Sequence, residues 1–205
     1  MANASFFNKI TLESVENAFK KNGYKYCTNG DYNLNIFGIR NQDDKDSDRF
    51  NDVIGVTYKE NGNWVLKKFD ATTDPGSYYR LNPCAVKGTG ILVPGQYRST
   101  WQLGLHQGKY RALVQRKPVK AYRDNNKNLS LDMNEKTIEE GLFGCNLHHA
   151  GTSESGSIFV QRWSAMCQVL SRMSDWNVFL ALCDKSAKIY GNAFTYTLFT
   201  QSQFF

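Results

Sequence analysis

A free thiol is mostly protonated near neutral pH and becomes a strong nucleophile only when a base takes its proton. The cysteines worth reading first are therefore those near a histidine. In the stretch FGCNLHHAGTSESGSIFVQRWSAMCQVL, from Phe143 to Leu170, two histidines, His148 and His149, precede a Ser-x-x-Cys formed by Ser164 and Cys167. This pattern predicts a Cys–His site with Cys167 as nucleophile and one imidazole as base. Ser164 either donates within the turn or caps it. Strand alternation sends adjacent side chains to opposite faces, so only one of His148 and His149 faces the thiol. The elements that must position them are a short buried strand over the apolar run Leu142–His148 and a small polar loop from Gly151 to Ser157 that turns the chain back.

The order of His, loop and Ser-x-x-Cys resembles the L,D-transpeptidase (YkuD-like) catalytic domain, whose signature ends Ser-x-Gly-Cys. The pieces ATTDPG (71–76), GTGILVPGQY (88–97), GLHQGKY (104–110), VKAYRDNN (119–126), GLFGCNLHHA (141–150) and WSAMCQV (163–169) together resemble a phage-encoded branch of that fold, over roughly residues 34–183. The resemblance implies cysteine-dependent acyl transfer or hydrolysis on peptidoglycan stem peptides, with a peptidoglycan peptide as partner and no cofactor. Its aliphatic-His pattern matches Leu147-His148, making His148 the expected base and His149 the alternative. Backbone N–H groups at Met166-Cys167 would hold the oxyanion. His106, Tyr97 and Trp163 are expected to line the substrate cleft. Where the family has glycine before the nucleophile, this chain has Met166. If that turn needs a positive φ, the side chain strains it, and the runner-up reading is a catalytically degenerate structural or wall-binding virion component on the same fold. A papain-like peptidase fits less well, because there Cys precedes His along the chain.

At 205 residues, 41% hydrophobic and 14% aromatic, the chain can bury one good-sized core, and a single domain over 1–205 is expected. The net charge of +6 reads as a mildly basic solvated surface, with attraction to an anionic polymer as the alternative. Nucleic acid and membrane are not expected partners; other virion proteins are. Five widely spaced cysteines, Cys27, Cys84, Cys145, Cys167 and Cys183, suggest neither a disulfide framework nor a zinc ribbon. Cys167 is expected to react ahead of the other four at about pH 6, as an activated thiol should. No metal site is expected, since His148 and His149 diverge on a strand, and Gly88-Thr89-Gly90 lacks the spacing of a phosphate loop. No run approaches membrane-spanning length, and the start MANASFFNKITLES lacks a basic region followed by an apolar core. A protein made in the host cytoplasm without its own export signal, and acting at the wall or within a virion, is the expectation.

In chain order, a helical lead-in (1–33) contains an amphipathic helix over 11–21, capped by Thr11 and stopped by Gly23. Strands are expected over Leu34–Arg40 and Asp52–Tyr58 with a charged loop, 41–49, between them. Asn61-Gly62 is the strongest hairpin signal, since both residues tolerate positive φ. Further short strands over 88–123 suggest a sandwich or barrel. Asp124–Glu140 reads as a long surface excursion. A second helix, capped by Ser174, runs to Tyr190-Gly191, and a last strand covers Phe194–Phe199. The expected fold is thus mainly β, a single-domain β-sandwich or barrel of the L,D-transpeptidase type with flanking helices.

Overall fold

The computed structural model describes residues 4–42, 48–151, 153 and 155–205. Residues 43–47 of the expected charged loop, and Thr152 and Glu154 of the expected polar loop, lie outside them.

Eight strands close into a barrel. β1 (Asn35–Arg40), β2 (Asp52–Glu60) and β3 (Asn63–Thr72) form an antiparallel meander. The turn between β2 and β3 is the expected Asn61-Gly62, at φ 52° and 79°. A small sheet is formed by β4 (Thr89–Leu92), β7 (Val119–Asp124) and β8 (Glu139–Gly141). The barrel continues through β5 (Gly95–His106), β6 (Tyr110–Gln115), β9 (Leu147–His149), β10 (Gln168–Leu170) and β11 (Phe194–Thr200), in the order β1-β11-β5-β6-β9-β10-β3-β2. Because β11 pairs with both β1 and β5, the last strand is an internal stave of the barrel and not an appendage to the core.

Five helices flank the strands among the described residues: α1 (Ala4–Lys9), α2 (Leu12–Lys21), α3 (Ser77–Leu81), α4 (Met173–Tyr190) and α5 (Gln201–Phe204). Thr11 caps α2 through a capping box with Ser14, as its sequence implies. β1 is buried along its whole length because both faces are covered: Ile36 joins the barrel core with Trp101, Phe179 and Leu198, while Phe37 and Ile39 pack outward on Phe19 and Phe204 of the flanking helices. A two-sided strand of this kind reads as a continuous apolar run.

Two local expectations are corrected. Ser174 does not cap α4, which starts at Met173 with Arg172 before it and no side-chain cap. Packing of Trp176, Phe179 and Cys183 into the barrel core holds this helix instead. The strand expected over Leu142–His148 shrinks to Leu147–His149, because Gly144 sits at φ 72° and breaks the extended run. The backbone N–H groups of Phe143 and Cys145 both donate to Gln115 Oε1, at 3.0 and 2.9 Å, so this segment wraps a side chain and leaves Leu142 exposed.

Candidate active site

β9 and β10 run parallel and adjacent, with His148 opposite Val169, so the chain leaving the histidines returns to place Cys167 at the start of the neighbouring strand. The hairpin between β5 and β6 adds the rest. Gln107 and Gly108, at φ 50° and 71°, turn the chain so that His106 and Tyr110 pair across it. His106 then lies over His148 with ring centroids 4.2 Å apart, and Tyr110 Oη lies 3.0 Å from His148 Nδ1.

The hydrogen bonds fix both tautomers. His148 Nδ1 is 2.9 Å from the carbonyl oxygen of His149, which can only accept, so Nδ1 carries the proton and Nε2 the lone pair. Nε2 is buried and has no hydrogen-bond partner. Asn146 Oδ1 accepts from the Gln115 backbone N–H at 2.9 Å, which turns its Nδ2 toward His106 Nδ1 at 3.1 Å. His106 therefore accepts at Nδ1 and is protonated at Nε2. One nitrogen of each of these imidazoles and Cys167 Sγ lie within 4.8 Å of one another.

Burial makes this cluster neutral. It drives His148 down to about 3, with His106 adding to the effect and the His149 carbonyl opposing it. It pushes the Cys167 thiol up to about 11, against a backbone hydrogen bond from Asn146. Tyr110 is pushed up to about 12 by burial and then by Cys167, so it stays a phenol. The resting pair is a thiol beside a neutral imidazole rather than a thiolate–imidazolium pair. This reverses the expectation of fast labelling near pH 6: Cys167 is 8% exposed and protonated, whereas Cys84 is the exposed cysteine.

The turn carrying Cys167 is held from three sides. Ser164 Oγ donates to the Cys167 carbonyl at 2.8 Å, and the Ser164 carbonyl accepts the Gly76 N–H at 2.9 Å, so Ser164 is spent on the turn itself. Gln168 Nε2 donates to the carbonyls of Met166 and Thr73, at 3.3 and 3.2 Å. Tyr196 donates to Gln168 Oε1 at 2.9 Å, orienting that amide. Met166 is absent from the positive-φ residues, so the turn accepts an ordinary side chain. No described residue accepts from the backbone N–H of Met166 or Cys167.

Cys167 opens onto a groove whose walls include Cys84, Thr89, Arg123, Phe143 and Met166. The expected cleft residues scatter. His106 belongs to the cluster behind the thiol. Tyr97 is corrected: its hydroxyl donates to the Val93 carbonyl at 2.6 Å, and it lines a separate surface hollow with Pro118 and Lys120. Trp163, 41% exposed, lies against Gly151 and does not line the groove. His149 turns its ring toward Tyr110 and Trp176 and is not in the Cys167 cluster. Cys145 and Cys183 are buried in the core, whereas Cys27 is only half-buried.

The expectation that no metal-ligating set exists is also revised. His106, His148 and Cys167 form a two-imidazole, one-thiol donor set of the type that suits zinc with one position open. Sequence adjacency had compared His148 with His149, whereas the fold pairs it with a histidine from another strand. Tyr110 and Gln168 were missed as positioning residues. The signal for Tyr110 was present in HisGlnGlyLysTyr, since residues flanking a tight turn pair across it.

No family model, curated protein or solved structure matches the chain. Among the described residues no helix is long and apolar enough to cross a membrane.

Proposed function

We propose that this chain is a cysteine acyl-transfer enzyme of the L,D-transpeptidase type acting on peptidoglycan stem peptides at the cell wall, as a phage-encoded product. The observation that carries the chemistry is the unpartnered, deprotonated Nε2 of His148 in the cluster with the Cys167 thiol. In this mechanism Cys167 Sγ attacks the substrate carbonyl while its proton moves to His148 Nε2. The imidazolium so formed is stabilised at Nδ1–H by the His149 carbonyl and the Tyr110 oxygen. The N–H groups of Met166 and Cys167 receive the oxyanion. His148 then returns the proton to the leaving amine, and water or an acceptor amine resolves the thioester, giving hydrolysis or transpeptidation. The choice of stem peptide rests on the sequence motifs, not on the site geometry. Met166 does not take a positive φ, which favours the enzyme reading over the degenerate, purely structural one.

The test is the intact mass of the protein after incubation with a stem tetrapeptide and, separately, with a carbapenem. A covalent adduct mapping to Cys167, absent in Cys167→Ala and His148→Ala, is expected. Wild-type protein that forms no adduct with either compound, and releases no product from the peptide, would sink the proposal.

A further inference from the structure

Among the described residues, Arg123 is the one charged side chain lining the Cys167 groove. Its side chain is 14% exposed and its guanidinium is held in a fixed orientation. Nε pairs with Glu139 at 3.0 Å, the plane lies 4.4 Å over the Phe143 ring, and Nη1 reaches the Gly88 carbonyl at 3.5 Å. Nη2 bonds to no described residue. The group also sits close to the nucleophile's turn. A Cβ built on Gly90 would lie 2.7 Å from Met166 Sδ and 3.6 Å from Arg123 Nη1, so Arg123 and the residue before Cys167 share one small space that only glycine keeps open.

We infer that Arg123 is a specificity residue that binds a carboxylate of the ligand entering the Cys167 groove. A guanidinium fixed through one edge presents its remaining N–H donors as a planar fork, which suits a carboxylate. Glu139 already bonds both Arg123 and Lys87, so the three side chains carry a net charge of one, matching a monoanion better than a phosphate. Among the described residues, none that lines the groove is acidic and would oppose such a ligand. The ligand class is therefore a peptide or acyl compound with a free carboxylate a few bonds from the carbonyl that Cys167 attacks. This rests on the proposed function only in taking the groove as the substrate channel, and its test needs no turnover.

The experiment compares alkylation of Cys167 in the wild-type chain by N-iodoacetylglycine and by N-iodoacetylglycinamide, which differ only in carboxylate against amide. Rates are read by peptide mapping at about pH 8, and the acid-to-amide ratio is divided by the same ratio for N-acetylcysteine free in solution. The normalised ratio is expected to be about tenfold, the effect of one charge-assisted hydrogen bond, to fall to near one in Arg123→Gln and to remain intermediate in Arg123→Lys. Independently of any variant, N-acetylglycine should slow the amide reagent on the wild-type chain, and N-acetylglycinamide should not. A wild-type ratio near one, a ratio unmoved by Arg123→Gln, or absence of Cys167 labelling by both reagents overturns the inference. A carboxylate preference in a protein that forms no acyl adduct with stem peptide upholds the Arg123 site and removes the transpeptidase reading instead.

Discussion

Two buried polar clusters flank Gln168. On one side, Arg40, 1% exposed, sits 2.7 Å from Asp74 and donates Nη2 to the carbonyls of Thr73 and Leu92. Asp52 beside it accepts from the Asn41 N–H at 2.8 Å and from the Thr73 N–H and hydroxyl at 2.6 and 2.8 Å. On the other side lie His106, His148 and Cys167, where His148 Nε2 has no partner. The contact between Arg40 Nε and Asp74 is an ion pair without hydrogen-bond alignment, yet each charge in the first cluster has an opposite charge or a donor set against it. The second cluster holds neutral groups and leaves a lone pair beside a thiol. A network whose charges are paired and largely hydrogen-bonded fixes backbone, whereas a neutral group left buried with no partner of either kind keeps free energy available for a ligand. The two are joined at the Thr73 carbonyl, which accepts from both Arg40 and Gln168, so the structural cluster anchors the turn that carries the reactive one.

The contrast is broken most severely at the base. His148→Gln should lower the rate of Cys167 acylation roughly 100- to 10,000-fold while leaving the thermal midpoint near that of wild type, and His149→Gln should leave most of the rate. Burst kinetics with a stem peptide or carbapenem measure both, and equal losses would put the two histidines in one functional unit. At the other cluster, Asp74→Ala leaves the Arg40 charge buried without its counterion. It should destabilise the fold by about 3–5 kcal/mol in urea titrations, since breaking a buried pair strands the remaining charge. Arg40→Leu combined with Asp74→Leu should cost much less, and a double variant as unstable as the single would contradict this account.

Stability against pH should separate the clusters by sign. Asp52 is pushed from 3.8 up to about 7 by burial and by Asp74, so the unfolded chain ionises first, and its contribution is present at low pH and lost as pH rises from about 4 to 7. His148 is driven from 6.5 down to about 3, so the unfolded chain protonates first, and its contribution is present above about 6.5 and lost as pH falls toward 3. The slopes oppose each other. Asp52→Asn should therefore leave a protein that loses stability on acidification between 6.5 and 4 more steeply than wild type does, and His148→Gln the reverse. Unfolding midpoints at a series of pH values decide this, and two variants with unchanged slopes would remove both assignments.

The smallest effect is expected at Met166→Gly. Because the turn already takes an ordinary backbone conformation, the glycine variant should acylate within a few-fold of wild type and lose some stability from the apolar contacts of a side chain that is 5% exposed. A gain of 100-fold or more would mean that the residue obstructs the oxyanion position after all.

Local rules made much of the frame legible. The Asn61-Gly62 hairpin, the Thr11 cap and the short apolar runs of the barrel follow from backbone preferences and periodicity that neighbouring residues set by themselves. The same holds for the proximity of His148 and Cys167, which needs only a strand, a loop and a return. Tertiary structure decided which groups surround that pair. His106 and Tyr110 arrive from the β5–β6 hairpin, Gln168 is oriented by Tyr196 from β11, and Arg123 enters from the small sheet. These are contacts between residues far apart in the chain, set by the order in which strands pair around the barrel, and no local propensity encodes that order. The protonation of the pair was decided there too. Types and spacing alone suggested an activated thiolate, but a thiol's charge depends on how completely the fold removes it from water, and here burial keeps Cys167 a thiol and His148 a neutral base.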